Sequence, residues 1–225
     1  EVRGDVPGGQ WGHGLASIQD LDGDGSRDIV AGGPRMPEEV RPGDASRQEV
    51  GHVRIVGSVT GSQIARIDGG AMGGWFGYEV ATGGDFDGDG MEDFVVSESQ
   101  RFLDEDPEGG EVTVFSGATR EPLLRVRSGH GCSWATSVAV LGDATGDGVP
   151  DLAVGDTNGF GHGAALFSGR DGQLLTPIQA EEDVFAGVFS VARVGDVNGD
   201  GKADVLVGRT VGMTTVANEV FVQRL

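Results

Sequence analysis

The sequence predicts an all-β fold, a β-propeller of four-stranded antiparallel blades, on three observations. A nine-residue acidic motif occurs four times, as DLDGDGSRD from Asp20, DFDGDGMED from Asp85, DATGDGVPD from Asp143 and DVNGDGKAD from Asp196. Each copy is flanked by short runs rich in Val, Ile, Leu and Phe that have strand length and end in Gly or Asp turns. Glycine supplies 42 of 225 residues without a three-residue period, which makes turns frequent and leaves no long 3.6-residue pattern for a helix.

The elements follow in the same order in every repeat. A first strand runs into the motif in GLASIQD, YEVATGGD, SVAVLGD and SVARVGD, and a second leaves it in DIVAG, DFVVS, DLAVG and DVLVG. A third strand follows a variable loop, in GHVRIVGSVTG, GEVTVFSGATRE, HGAALFSGRDG and NEVFVQRL. A fourth closes the unit in QIARID, LLRVRS and LLTPIQ, and the last repeat lacks it. In an up-and-down sheet the connections after strands one and three share a face, so all four motifs lie together. The variable loops at 34–50 and 98–110 then decorate the opposite face. EVR at the N-terminus aligns with the tail of a fourth strand, so the terminal strands are expected to close the last blade and remove its open edge. Residues 1–225 thus form one propeller domain with loops at 20–28, 85–93, 143–151 and 196–204. Two other arrangements fit the matching ends: a segment of a longer array, and a homodimer whose chains exchange terminal strands to form an eight-bladed ring.

Composition narrows the partners. A net charge of −20 opposes nucleic acid and anionic membrane surfaces, and no apolar run reaches the length of a membrane span. The single cysteine, Cys132, has no partner for an intrachain disulfide. The chain begins at Glu1 without a leader segment, so it is a trimmed product or its address lies outside it.

Four aspartates packed into nine residues repel one another unless a cation sits between them. Oxygen donors at motif positions 1, 3, 5 and 9, a main-chain carbonyl at 7 and Gly at 6 for the sharp turn match the first half of a calcium loop. The candidate ligands are Asp20, Asp22, Asp24, Ser26 and Asp28 in the first motif, and Asp85, Asp87, Asp89, Met91 and Asp93 in the second. They are Asp143, Thr145, Asp147, Val149 and Asp151 in the third, and Asp196, Asn198, Asp200, Lys202 and Asp204 in the fourth. No Cys or His interleaves, which disfavours zinc. Position 12 holds Ala31, Val96, Val154 and Val207 where an EF-hand needs Glu, so the helix–loop–helix reading fails. Up to four Ca²⁺ ions are expected, with calcium preferred over magnesium because several protein oxygens in a flexible loop suit the larger ion. The first two loops keep four carboxylates and should bind more tightly than the third and fourth, where Thr145 and Asn198 replace one. The competing reading is that the Asp-Gly pairs only make hairpin turns.

These residues resemble the FG-GAP repeats of integrin α-subunit propellers and their bacterial relatives. Phe76-Gly77 stands ahead of the second motif, Trp11-Gly12 ahead of the first, and Gly32-Gly33-Pro34 is close to Gly-Ala-Pro. Trp134-Ala135 replaces Phe-Gly in the third repeat, and the fourth has Gly187 where the aromatic stands elsewhere. The resemblance implies calcium in the hairpin loops of one face, a protein or glycan ligand on the other, and an extracytoplasmic or secreted binding or adhesion role. It also implies seven blades, against four repeats in this chain.

The remaining residues add little. Trp11, Phe76 and Trp134 each sit nine residues before the first Asp and read as packing between blades. His13, His52, His130 and His162 share no metal or catalytic spacing, and Cys132 reads as a small buried residue. The loop DEDPEGGE at 104–111 reads as a solvated charge run. Arg3-Gly4-Asp5 spells the integrin-recognised tripeptide, but it falls where the closing strand or its turn would lie. No nucleophile with a matching base is identifiable, so a non-enzymatic module is expected. A calcium-dependent, lyase-like polysaccharide enzyme and a purely structural segment of a larger repeat protein are the other classes.

Overall fold

A computed structural model describes residues 2–4, 10–34, 50–70, 74–99, 110–127, 134–157, 163–178, 188–211 and 217–223. Among the described residues all elements are strands: β1 (Leu15–Ile18), β2 (Asp28–Gly33), β3 (His52–Val56), β4 (Gln63–Asp68), β5 (Phe76–Gly84), β6 (Asp93–Glu98), β7 (Glu111–Phe115) and β8 (Pro122–Arg127). They continue as β9 (Trp134–Gly142), β10 (Asp151–Asp156), β11 (Ala164–Phe167), β12 (Leu174–Ile178), β13 (Val188–Arg193), β14 (Val205–Val211) and β15 (Ala217–Gln223). Consecutive strands pair antiparallel into sheets β1-β2-β3-β4, β5-β6-β7-β8, β9-β10-β11-β12 and β13-β14-β15. Three sheets of four strands and one of three, each strand beside its sequence neighbour, are the predicted repeat and are consistent with propeller blades. The variable stretches at 34–50 and 98–110, with His130, His162 and Cys132, lie largely or wholly outside the described residues.

Two-sided burial explains why the second strands of the two middle sheets read as unbroken apolar runs. In β6, Phe94 and Val96 face the first sheet while Val95 faces the third, because a strand turns successive side chains to opposite faces. Three separate cores result. Ile18, Val30, Val53 and Ile55 meet Val80, Phe94, Val96 and Phe115 between sheets one and two. Val95, Val112 and Val114 meet Val138, Leu152 and Val154 between two and three, and Ala153 and Leu166 meet Val191 and Val207 between three and four. The first strands carry most of this packing: β5 lies against β1 and β2, β9 against β5 and β6, and β13 against β9 and β10.

Phe76 and Trp134 belong to these junctions, as expected, whereas Trp11 is half-buried against His52 and Arg54 of its own sheet. Phe76 and Trp134 are buried, each edge-on to an aromatic of its own third strand, Phe115 and Phe167. The residue after each aromatic explains the glycine. Gly12 and Gly77 have φ of 85° and 86°, and Ala135 is forced to 60° in the third repeat. At Gly77 the backbone also passes against the neighbouring sheet, where a Cβ would stand 2.6 Å from the His52 carbonyl oxygen.

The N-terminal segment departs from expectation. Among the described residues the fourth sheet keeps three strands, and Val2–Gly4 lie against the first sheet instead. The Arg3 carbonyl accepts from Arg54 Nη2 on β3 at 2.9 Å, and the Arg54 guanidinium lies 3.9 Å over the Trp11 ring. A guanidinium held in a nearly buried position draws the local chain onto its own sheet, so closure of the last blade by EVR is not observed. Of the tripeptide, Arg3 is engaged through its carbonyl and Asp5 lies outside the described residues. Among the described residues both end sheets expose apolar side chains, Val222 in the last and Leu15 and Ile29 in the first. Leu15 and Ile29 are 62% and 39% exposed, whereas Val80 and Phe94, their counterparts in the second sheet, are 3% and 0%.

Away from the acidic loops, the buried Glu111 carboxylate on β7 is held by Arg125 and, at 2.8 Å, by Arg127 on β8. Burial pushes its acidity the other way, but the two guanidinium groups and the Thr113 hydroxyl win, and the pKa lies below the usual glutamate value. A lowered folded value means that the ionised group contributes stability above the ordinary glutamate pKa and loses it as pH falls through the lowered one. Glu111→Gln is expected to cost about 1–3 kcal/mol at neutral pH, since the half-exposed arginines can rehydrate, and almost nothing at strongly acidic pH. Urea unfolding at the two pH values measures the difference.

Candidate metal centre

Each acidic motif is the β-hairpin connection between the first and second strands of its sheet, and its glycines are required by the backbone. Those at motif positions 4 and 6 have φ between 78° and 91° in all four copies. The first carboxylate nucleates the turn by accepting the N–H groups of both glycines and, in the last three copies, that of the fifth residue as well. Asp20 takes Gly23 and Gly25 at 2.6 and 2.7 Å, and Asp85 takes Gly88 and Gly90 at 2.7 and 2.8 Å. Asp143 takes Gly146 and Gly148 at 2.6 and 2.8 Å, and Asp196 takes Gly199 and Gly201 at 2.5 and 2.7 Å. These N–H groups favour the anion and hold the Asp20, Asp143 and Asp196 pKa values below the usual range.

The ninth residue is a staple rather than a surface group. Asp28, Asp93, Asp151 and Asp204 are fully buried. One oxygen of each accepts from the second motif residue: Leu21, Phe86, Ala144 and Val197. In the first three sheets the other oxygen accepts from the turn after the third strand, at Ser58, Gly117 and Gly169. The carboxylate thereby ties two hairpins of one face together.

Carboxylates converge in two loops. One oxygen from each of Asp20, Asp22 and Asp28 lies within 4.8 Å of the others, and the same holds for Asp85, Asp87 and Asp93. Oxygens that share an ion at the 2.3–2.6 Å typical of calcium stand at most about 5 Å apart, so the separation and the all-oxygen donor set fit that ion. Crowding raises the Asp22 pKa: partial loss of solvent leads, and Asp24, Asp28 and Asp20 add repulsion against the opposing Asp24 N–H. Burial raises that of Asp93, with Asp87 and Asp85 adding to it against the Phe86 and Gly117 N–H groups.

The fifth residues stand outside these groups, because Asp24 and Asp89 accept the N–H two residues on, at Ser26 and Met91. Asp147 and Asp200 do the same with Val149 and Lys202. The third and fourth loops form no such three-carboxylate group among the described residues, with Thr145 and Asn198 at position 3. The Asn198 amide instead donates to Asp200 at 2.8 Å.

Three features have no counterpart in the sequence reading. Glu92 of the second loop accepts from the Gln19 N–H at 2.8 Å and from Arg27 at 2.6 Å, joining the first two loops. Arg170 reaches Asp147 in the third loop. On the opposite face Tyr78 stacks on Trp75, and His13 packs on Tyr78 with ring centroids 4.3 Å apart. All three join residues distant in sequence, apart from the Trp75–Tyr78 pair.

Known proteins resemble this chain in sequence and in fold. The FG-GAP repeat family matches residues 76–115 and a family described as FG-GAP-like repeat matches 143–207. The chain is 29% identical to mouse integrin alpha-8 over 206 residues, 83% of the chain, and 32% identical to human integrin alpha-E over 181 residues, 71% of it. It is 33% identical to mouse integrin alpha-7 over 148 residues, 59% of the chain. It spans less than a fifth of each relative's length: 18%, 15% and 12% respectively. Among solved structures, the crystal structure of BBS1N in complex with ARL6DN, soaked with lead, is alike in fold alone. The TM-score is 0.50 at 9% identity, over 92% of this chain and 54% of that one.

Proposed function

Because the chain is an FG-GAP-repeat, integrin α-like protein, we propose that it is a calcium-stabilised propeller module of an extracytoplasmic adhesion-type protein, with metal on one face and a protein ligand on the other. The observation that carries this reading is the convergence of three carboxylates in each of the first two loops. Asp20, Asp22 and Asp28, and Asp85, Asp87 and Asp93, hold the first two ions, with main-chain carbonyls and water completing the shell. The third and fourth loops are weaker sites with fewer carboxylates. When bound, calcium supplies charge neutralisation and fixes the hairpins. The chain's own residues keep the loops in shape beforehand, through the N–H groups that Asp20 and Asp85 accept.

For the ligand, the supporting feature is the aromatic cluster of His13, Trp75 and Tyr78, partly exposed on the face away from the loops. Tyrosine and tryptophan of this kind anchor protein interfaces. Integrin-like relatives favour a protein over other ligand classes.

Calorimetric titration tests the metal assignment. Calcium is expected to bind at two or more sites, with magnesium markedly weaker, and Asp22→Asn and Asp87→Asn are each expected to remove one tight site. Absence of calcium binding overturns the reading.

A further inference from the structure

The turn after the third strand is the same in the first three sheets. Gly57, Ser116 and Ser168 each accept from the residue four further on and donate to the carbonyl five further on, so the three turns superpose residue by residue. Their second residue donates to the buried ninth Asp of the acidic loop, which brings the third residue beside that loop. At this third position stand Val59, Ala118 and Arg170. This residue is uncharged in the two repeats whose loops have converging carboxylates, and is an arginine in the third. Arg170 Nε donates to Asp147 Oδ2 at 2.9 Å, and Nη2 donates to the Asp147 main-chain carbonyl. One planar cation thus engages both oxygen types of the fifth loop residue, as fork-shaped donors do.

We propose that Arg170 is the resident cation of the third acidic loop, a built-in competitor that keeps calcium out of this loop at concentrations that fill the first two. The inference rests on the calcium-binding reading of the loops. Arg170 neutralises Asp147 and adds a positive charge beside Asp143, so an arriving ion meets a reduced field and must displace the guanidinium. The Asp147 carboxyl is held below its usual pKa range first by Arg170, which accords with this pairing. Thr145 leaves the loop one carboxylate short, and the arginine supplies the charge balance that metal gives elsewhere.

Calcium titrations of the wild-type chain, Arg170→Gln, Arg170→Lys and the double variant Arg170→Gln/Asp143→Asn test this by calorimetry. Removing the guanidinium is expected to tighten one weak site by about tenfold, the scale of one unit charge a few ångströms from the ion when water screens the pair, as it does for the half-exposed Arg170. The double variant is expected to lose that gain, which assigns it to the third loop. Arg170→Lys should fall between, because lysine keeps the charge without the fork. Calcium binding to the wild type with an unchanged isotherm for Arg170→Gln overturns the role of Arg170 and leaves the calcium reading standing. No binding by any variant overturns both.

Discussion

Adding a chelator to the calcium-loaded chain is expected to lower its melting temperature by about 10–20 °C. Each site held at a hundred times its dissociation constant adds about 2.7 kcal/mol, so the two converging loops together contribute about 5 kcal/mol. A chain of this size moves by about 2–4 °C per kcal/mol. The physical source is local. Asp22 carries a raised pKa through partial desolvation among crowded carboxylates and Asp93 through burial, and two ions relieve that crowding while taking the formal charge from −20 to −16. Scanning calorimetry with calcium, and with chelator, makes the measurement. Superimposable transitions would mean that the loops are hydrogen-bonded turns and no more.

Gly77→Ala is expected to destabilise the fold by about 3 kcal/mol, by adding left-handed backbone strain of about 1–2 kcal/mol to an overpacking cost of similar size. The φ of 86° is reserved for glycine, and the new Cβ would stand 2.6 Å from the His52 carbonyl and 3.2 Å from Gly32 Cα. Neither neighbour is a flexible side chain, so the sheets themselves must move apart. Ala135 separates the two contributions. It carries a methyl at φ 60° in the corresponding place, which shows that the dihedral cost alone is survivable. The contact with the first sheet is therefore what makes Gly77 exacting. Urea unfolding provides the number, and a loss below about 1 kcal/mol would refute the argument.

Local pattern carried most of the architecture. The runs DIVAG, DFVVS, DLAVG and DVLVG read as strands, and each is one; the middle two are buried on both faces, whereas Ile29 of the first is exposed. The motif likewise announced its turn, because Asp at position 1 and Gly at 4 and 6 act within six residues. The ninth Asp was legible as a conspicuous carboxylate but not as a staple, since its second partner lies 30, 24 or 18 residues downstream. Arg170 was hidden for the same reason: it meets Asp147 across 23 residues, and only the superposed turns reveal that Val59 and Ala118 are its counterparts. The closing strand was misjudged because edge complementarity, the only sequence cue, says nothing about the pull of Arg54 and Trp11 on the segment beside them.

The exposed faces at the two ends have a thermodynamic meaning. With three separate cores and contacts that pass from each sheet to the next, the molecule behaves as a short linear chain of coupled units, each stabilised by its nearest neighbours. The two middle units enjoy two couplings and the terminal ones a single coupling, so opening propagates inward from the ends and amide protection climbs toward β6 and β10. Leu15 at one end and Val222 at the other, 62% and 40% exposed, mark where that missing coupling would be restored by any further unit stacked on the array.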